Sequence, residues 1–496
     1  MPIIFSPIAL FLSAFLMGLS QQPIGLGWLA WCGLIPFLFV LNRVNEIRHF
    51  ILAGLIWGFI YYLLVIYWLA NNIGTTPFIG ILSMLAAVLY CTLNIILICI
   101  IIKIIKTYFN EKWYWFFPVV WISVEYIRNM DMLTGGPWTS LANTQLDYLT
   151  LVQNVEVTGI YGISFWVVLI NMLIYNYLVY PYKNNFIKLV MIFFLPWLTG
   201  MLLEGRLVFD DSKPLDAAII QPNIKLSQKW KPNAVRENIQ ILIDESKSAV
   251  DNATDLIIWP ETATSGYILQ GNDYYLKLIQ KSLKNSKLIS GIPYYVDIGL
   301  DRQYFNSAAL IESNGIKNIY HKMELVPMGE YVPLSDFFPK LNNLNLGQGN
   351  FSKGMDFVIM EVNGIKCATM ICFESTLPTL NRNFVNVGAE VLIYLVNDGW
   401  YETPPQPQQH AKQVIFRAIE NRRPVLRCAN TGVSMIVDPN GNISHTLSLN
   451  EKGMLQATIM PQNIITFYTR YGDIFAQLNV VVLLLLLIFI GLIKRK

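Results

Sequence analysis

The run Thr369-Met370-Ile371-Cys372-Phe373-Glu374-Ser375 decides how the polar half of this chain is read. Upstream of it, Val358 to Ile371 forms two short apolar runs joined at Asn363-Gly364. That dipeptide suits a tight hairpin turn, because both residues tolerate positive φ. Cys372 stands where the second run ends, and from Thr376 the pattern turns helical. A thiol at such a strand-to-helix elbow is held by rigid backbone on both sides, which is the placement a nucleophile requires. Free cysteine is also among the most buried residue types. The elbow therefore becomes a site only if a base and an oxyanion partner accompany it.

Outward from the elbow, β-rich runs alternate with amphipathic stretches. Strands are expected at Asp216–Gln221, Leu256–Trp259, Leu288–Pro293, Phe305–Ile311, Val391–Val396, Val425–Cys428, Val433–Val437 and Met454–Ile459. Helices are expected at Asn233–Val250, Tyr274–Leu283, Leu377–Val387 and Gln406–Asn421. This alternation predicts an α/β domain over 215–461, with helices layered on sheets. Two apolar loops interrupt it, Tyr331–Asn350 and Gly399–Gln409. Each reads either as a lid on its own domain or as a segment that dips into a membrane.

The rest of the chain is of another kind. Over 496 residues the apolar fraction is 54% and the charged fraction 14%, far from the balance of a soluble protein. Apolar residues concentrate in seven N-terminal segments, near Ile3–Leu19, Ile24–Leu41, Phe50–Ala70, Phe78–Ile102, Trp113–Ile127, Ile160–Tyr180 and Phe186–Leu203, and in an eighth, Ile474–Ile493. Each approaches the roughly 20 residues that cross a bilayer. Lys and Arg gather in alternate loops (Arg43 and Arg48; Lys103, Lys106 and Lys112; Lys183 and Lys188) and in the Lys494-Arg495-Lys496 tail. Basic loops stay in the cytoplasm, so both termini are expected inside and the α/β block outside. The expected organisation is a seven-span membrane domain (1–205), a linker (206–214), the α/β domain (215–461), a second linker (462–473) and a C-terminal span with basic tail (474–496).

A net charge of +3 gives no electrostatic case for nucleic acid. The four histidines and six cysteines make no zinc-ligand spacing, and no glycine-rich nucleotide loop is present. No metal and no cofactor are expected. The histidines do not look placed to serve Cys372, so the base is sought among carboxylates. Glu261 follows a buried run in Trp259-Pro260-Glu261, where it reads equally as a helix-start residue. Glu330 follows Pro327-Met328-Gly329. Lys322, at the end of the run before Met323, is either an oxyanion partner or a solvated surface lysine. Sequence spacing does not show that these residues meet.

Taken together, Trp259-Pro260-Glu261-Thr262, His321-Lys322-Met323-Glu324-Leu325-Val326-Pro327 and Ile371-Cys372-Phe373-Glu374 resemble the Glu-Lys-Cys motifs of the nitrilase (carbon–nitrogen hydrolase) superfamily. Such a domain set between seven spans and one is similar to the apolipoprotein N-acyltransferase family over essentially the whole chain. Gln221-Pro222-Asn223-Ile224, Lys229-Trp230, Tyr304-Phe305-Asn306-Ser307, Asn397-Asp398-Gly399-Trp400 and Arg427-Cys428-Ala429-Asn430-Thr431-Gly432 agree with it. Phe373 departs from it, since tyrosine is expected after the nucleophile in many members.

The resemblance implies an extracytoplasmic αββα sandwich on a bacterial inner membrane, with the catalytic domain on the periplasmic side. It implies Glu261, Lys322 and Cys372 as catalytic, Glu330 and Glu374 as supporting, and Trp230, Asn306, Phe373, Asn397 and Trp400 as substrate-binding candidates. The implied reaction moves an acyl chain from a phospholipid, typically phosphatidylethanolamine, through a Cys372 thioester to the α-amine of a diacylglyceryl-cysteine on an apolipoprotein. The implied partners are these two substrates and the bilayer, with the protein a monomer. The rival readings are a membrane-anchored amidase, with water as acceptor, and a transporter built on Glu125 with an inert α/β domain.

Overall fold

The computed structural model describes the chain except residues 1–5, 131–135, 206–212, 232, 272, 300, 328, 333–349, 402 and 495–496. The chain divides into two compact units. One comprises Met1–Asn72, Thr76–Arg206 and Tyr471–Lys496; the other comprises Ile73–Thr75 and Leu207–Arg470.

The first unit is helical, and each of the eight expected apolar segments overlaps helical chain. Among the described residues, five helical stretches are long and apolar enough to cross a membrane: Ile47–Asn71, Pro77–Met130, Val155–Val179, Lys183–Glu204 and Ile474–Lys494. Pro7–Leu19 and Gly27–Arg43 are shorter. The fourth expected segment runs further than hydropathy suggested, as a helix from Pro77 to Phe109. A 3-10 turn at Asn110–Phe116 then separates it from Phe117–Met130.

Inside this unit the buried Glu125 accepts hydrogen bonds from Ser164 Oγ (2.7 Å), Trp121 Nε1 (3.2 Å) and the Leu141 amide (3.4 Å). Arg128, one turn on, donates to Tyr62 Oη (2.8 Å). Buried polar groups in an apolar surround are stable only when so satisfied. The carboxylate thus fastens the 136–145 segment to the helices around it. Trp138 of that segment is buried against Trp68.

The second unit is an α/β structure of two six-stranded sheets. Its strands are β1 Leu215–Gln221, β2 Leu256–Trp259, β3 Lys287–Ile298, β4 Asp301–Glu312, β5 Gly315–His321, β6 Ile359–Val362, β7 Ile365–Ile371, β8 Val391–Val396, β9 Val425–Ala429, β10 Ser434–Val437, β11 Ile443–Leu447 and β12 Gly453–Ile459. One sheet has the order β12-β1-β2-β3-β4-β5 and the other β11-β10-β9-β8-β7-β6. Strands β1, β2 and β3 are parallel, as are β7, β8 and β9. These central strands are covered on both faces, and β8 is apolar and buried at every position.

One outer face packs under helices Ala234–Asp251 and Tyr274–Leu283, where Ile239, Leu242, Ile279 and Leu283 close over Ile257, Trp259, Leu288 and Ile292. The inner faces meet at Cys428, whose thiol donates to the Ile220 and Ile258 carbonyls at 3.3 and 3.4 Å. Cys367, Cys372 and Cys428 carry no disulfide.

The Asn363-Gly364 hairpin forms as expected, both residues with positive φ (53° and 89°). Three expectations are corrected. The strands expected at Leu288–Pro293 and Phe305–Ile311 are halves of a longer hairpin, which continues polar and exposed beyond the apolar register. The single helix expected over Gln406–Asn421 is two, Gln406–Lys412 and Val414–Asn421. The loop expected at Gly399–Gln409 is shorter for the same reason. Most of the other expected loop, residues 333–349, lies outside the described residues.

Candidate active site

The three residues expected to be catalytic sit just past the ends of strands. Glu261 lies two residues past β2, Lys322 follows β5, and Cys372 follows β7. Hydrogen bonding within the sheets stops at these points, so a side chain can turn into the gap above them.

Glu261 is 7% exposed and Lys322 is fully buried. Their charged atoms approach to 3.9 Å. Glu330 makes the closer pair with Lys322, at 2.8 Å, and accepts the Val326 amide at 2.8 Å. Asn306, on β4, joins the two carboxylates. Its Nδ2 donates to Glu261 Oε1 (2.7 Å) and Glu330 Oε1 (3.0 Å). Its carbonyl accepts the Lys322 amide (2.9 Å). Its Oδ1 is buried with no hydrogen-bond partner among the described residues.

The electrostatics follow from this packing. Burial pushes the Glu261 carboxyl above its ordinary range, Lys322 opposes that shift, and Glu330 reinforces it. Burial alone would depress Lys322, but Glu330 and Glu261 outweigh it and hold the ammonium firmly protonated. Cys372 is pushed well above the ordinary thiol value, by burial first and by the Glu261 charge second, with Lys322 offsetting part. The resting arrangement is a neutral thiol facing an ammonium and a carboxyl whose ionisation burial opposes.

Cys372 adopts φ +54°. A non-glycine residue rarely takes this left-handed conformation, which costs about 1–3 kcal/mol and is tolerated where the surroundings over-determine it. Here they do. The chain leaves β7 into a single 3-10 turn, Cys372–Thr376, before the helix Pro378–Asn386. Glu374 is buried in that turn and accepts the Ile371 amide at 2.7 Å. It also accepts the Met323 and Glu324 amides (2.7 and 3.0 Å) and the Tyr320 hydroxyl (2.8 Å). It therefore ties the Cys372 turn to the backbone just after Lys322, a stronger constraint than a helix-start carboxylate. Burial raises its carboxyl to about 7 despite those donors.

Two residues near the site were not among the site candidates. Lys229, ending a short helix at Leu226–Lys229, is buried and donates from Nζ to the Glu261 carbonyl at 2.9 Å. Burial lowers it to about 8 against the pull of Glu261. His410 is the other. The histidines did not look placed to serve the nucleophile, yet His410 Nε2 lies 3.2 Å from the Cys372 carbonyl and 3.1 Å from Ser375 Oγ. Its Nδ1 is 2.7 Å from Asp398 Oδ1, and Arg427 holds Asp398 Oδ2 at 2.9 Å. A 38-residue separation hides this from any local motif. Cys372, Asp398 and His410 present ligand atoms within 4.8 Å of one another, but both Asp398 oxygens are already taken up by His410 and Arg427.

The substrate-binding candidates divide. Asn306 is inside the site. Phe373 is buried next to Cys372 in the chain, at 6% exposure. Asn397 is buried and accepts from Asn430 Nδ2 (3.1 Å), which pins the Asn223–Ile224 backbone. Trp230 and Trp400 stand at the surface, 52% and 38% exposed.

The chain's similarities agree with this architecture. Residues 13–173 match the family model described as the apolipoprotein N-acyltransferase N-terminal domain, and residues 216–468 match that of carbon-nitrogen hydrolases. The apolipoprotein N-acyltransferase of Geobacter metallireducens is 32% identical over 490 residues, covering 94% of this chain and 91% of its own. That of Chlorobaculum tepidum is 30% identical, covering 93% and 92%. This chain belongs to the apolipoprotein N-acyltransferase family. An amidase of the nitrilase superfamily from Nesterenkonia AN1 has a TM-score of 0.39 at 16% identity, covering 54% of this chain and 95% of its own. The acyltransferase is a membrane enzyme that N-acylates lipoproteins, and its α/β unit is the part that matches the carbon-nitrogen hydrolase model.

Proposed function

We propose that the acyltransferase works by ping-pong chemistry through Cys372, with a phospholipid as acyl donor. The observation that carries this reading is the clasp of Lys322 by Glu330 and Glu261 at the strand ends, electrostatically coupled to a thiol held in a strained turn.

Glu261 takes the Cys372 proton as sulfur attacks the ester carbonyl, and the oxyanion that forms is stabilised by Lys322. Collapse breaks the ester C–O bond. Glu261 returns the proton to the departing alcohol, and lysophospholipid leaves. The α-amine of a diacylglyceryl-cysteine then attacks the thioester. Glu261 accepts one amine proton, the C–S bond breaks, and the proton restores the thiol. A carboxyl raised by burial is a stronger base than an exposed glutamate, which suits it to a thiol that is itself hard to ionise. Asn306 holds Glu261 and Glu330 in register, and its spare buried Oδ1 is available to accept from the incoming amine. Trp230 and Trp400 are exposed aromatic surface for the acyl chains. We place the α/β unit on the periplasmic side of the inner membrane, both termini in the cytoplasm, the protein acting as a monomer with phosphatidylethanolamine as donor.

The test is intact mass after mixing the purified enzyme with phospholipid alone. One acyl chain is gained on the peptide bearing Cys372, and it is released on addition of a diacylglyceryl-peptide. Cys372→Ala gains none and keeps its unfolding temperature. Acyl transfer at an unchanged rate in Cys372→Ala would end the covalent mechanism.

A further inference from the structure

The mechanism above uses Glu261 and Lys322 on one side of Cys372 and leaves unexplained the buried group on the other. His410 is 1% exposed and Asp398 2%. They come from separate segments, the helix Gln406–Lys412 and the turn after β8, and Arg427 reaches Asp398 from β9. Three elements thus form one chain of contacts, Arg427 to Asp398 to His410, that ends on the Cys372 carbonyl.

The hydrogen-bond inventory restricts the ring. Asp398 is an acceptor: burial works against its ionisation, but His410 and Arg427 outweigh it and hold the carboxyl at about 2. Nδ1 must therefore carry the proton between them. Ser375 Oγ donates its single hydrogen to the Cys372 carbonyl at 2.7 Å, leaving only lone pairs towards His410. Nε2 thus faces the Cys372 carbonyl, which can only accept, and Ser375 Oγ, which is engaged with that same carbonyl. A ring that donates from both nitrogens would satisfy each of these acceptors.

We propose that His410 is a positioning residue, a charged clamp that Asp398 holds against the Cys372 carbonyl, fixing the left-handed turn of the nucleophile and adding a second positive charge beside its sulfur. Cys372 then faces Glu261 from β2, Lys322 from β5, Glu330 and Asp398, with His410 the nearer cation on the β8–β9 side. The clamp explains how a non-glycine residue is kept at φ +54°, because its carbonyl is gripped by two donors. It rests on the Cys372 reading above, and the alkylation arm of its test needs no acyl substrate.

Two amide replacements separate the clamp from simple packing. His410→Asn retains a donor near Nδ1, towards Asp398, and loses the one near Nε2. His410→Gln retains a donor near Nε2, towards the Cys372 carbonyl. Neither carries a charge. Full-length enzyme in detergent is alkylated with iodoacetamide across a pH series, and the Cys372 peptide is followed by mass.

The midpoint for alkylation is expected to rise by about one pH unit in both variants, through loss of the positive charge. Thioester formation is expected to fall by about a hundredfold in His410→Asn and about tenfold in His410→Gln. A structural role through Asp398 alone would reverse that order and leave the midpoint unmoved, and that result overturns the proposal. Should His410→Asn fail to fold, the midpoint of His410→Gln decides alone. If alkylation shifts as expected while no thioester forms on wild-type enzyme, the clamp stands and the acyl mechanism falls.

Discussion

Glu330 controls the charge balance of the site from outside the reacting pair. It lies against Lys322 at 2.8 Å and raises Glu261 by repulsion. A base works only when deprotonated, so thioester formation climbs with pH through the Glu261 value, which burial and Glu330 together place above the ordinary 4.5. Neutralising Glu330 removes one of the two raising influences and leaves Lys322, which lowers it. In Glu330→Gln the acid limb of single-turnover acylation therefore moves to lower pH. The plateau falls by about a hundredfold, because the oxyanion's partner has lost its closest anchor. An acid limb that stays in place would show that Glu261 does not feel Glu330. At this scale little could be read from the sequence. Lys322 alone is indistinguishable from a surface lysine and Glu261 from a helix-start residue. Only the order of three motifs connected them, because the distances that matter are set by strands far apart in the chain.

At the scale of elements, the reading succeeded where the backbone signal was local. Asn363-Gly364 announced its hairpin, and the apolar runs of β2 and β8 announced buried strands. It missed β11, whose Ile443–Leu447 is exposed at all but its last position and so has no apolar pattern to detect. It also ran the Gln406–Asn421 helix through Gln413, because apolar spacing continues across the break.

The close approach of β3 to the Glu261 turn is a further element that only coordinates show. A Cβ on Gly291 would lie 2.5 Å from the Pro260 carbonyl oxygen and 2.6 Å from Glu261 Cα and Thr262 N, while the Gly291 carbonyl accepts the Ala263 amide at 2.8 Å. Gly291 is held in the β3 ladder and the crowding atoms are backbone, so Gly291→Ala must push the Glu261 turn away. Displacement of about 1 Å costs about a hundredfold in rate, and that loss is expected from thioester kinetics. Gly364→Ala, strained at φ +89° but far from any crowding atom, serves as the comparison. It should lower the unfolding temperature by a few degrees, for a cost of about 1 kcal/mol, and leave the kinetics alone. Equal activity in the two variants would remove the argument from backbone proximity.

For the whole molecule, hydropathy marked the helical unit and charge marked its orientation, and these signals differ in what they fix. Burial supports the first. The helices Lys183–Glu204 and Ile474–Lys494 are only 11% and 17% buried in the unit, against 67% for Val155–Val179, so their apolar surface has lipid as its natural solvent. The second is an electrostatic inference from Lys and Arg in alternate loops, and it carries a sharp consequence. Ile474–Lys494 is long enough to cross once, so the proposed orientation requires its ends on opposite sides of the bilayer, with Lys494 inside and the α/β unit outside. Ser444, exposed on β11, reports the outer side without touching the site. In Ser444→Cys, a membrane-impermeant maleimide should label the introduced thiol in intact spheroplasts as fast as in lysed ones. A cysteine placed at the basic C-terminal tail should label only after lysis. The opposite pattern would put the thiol of Cys372 on the cytoplasmic face, and the basic-loop rule would then have failed for this chain.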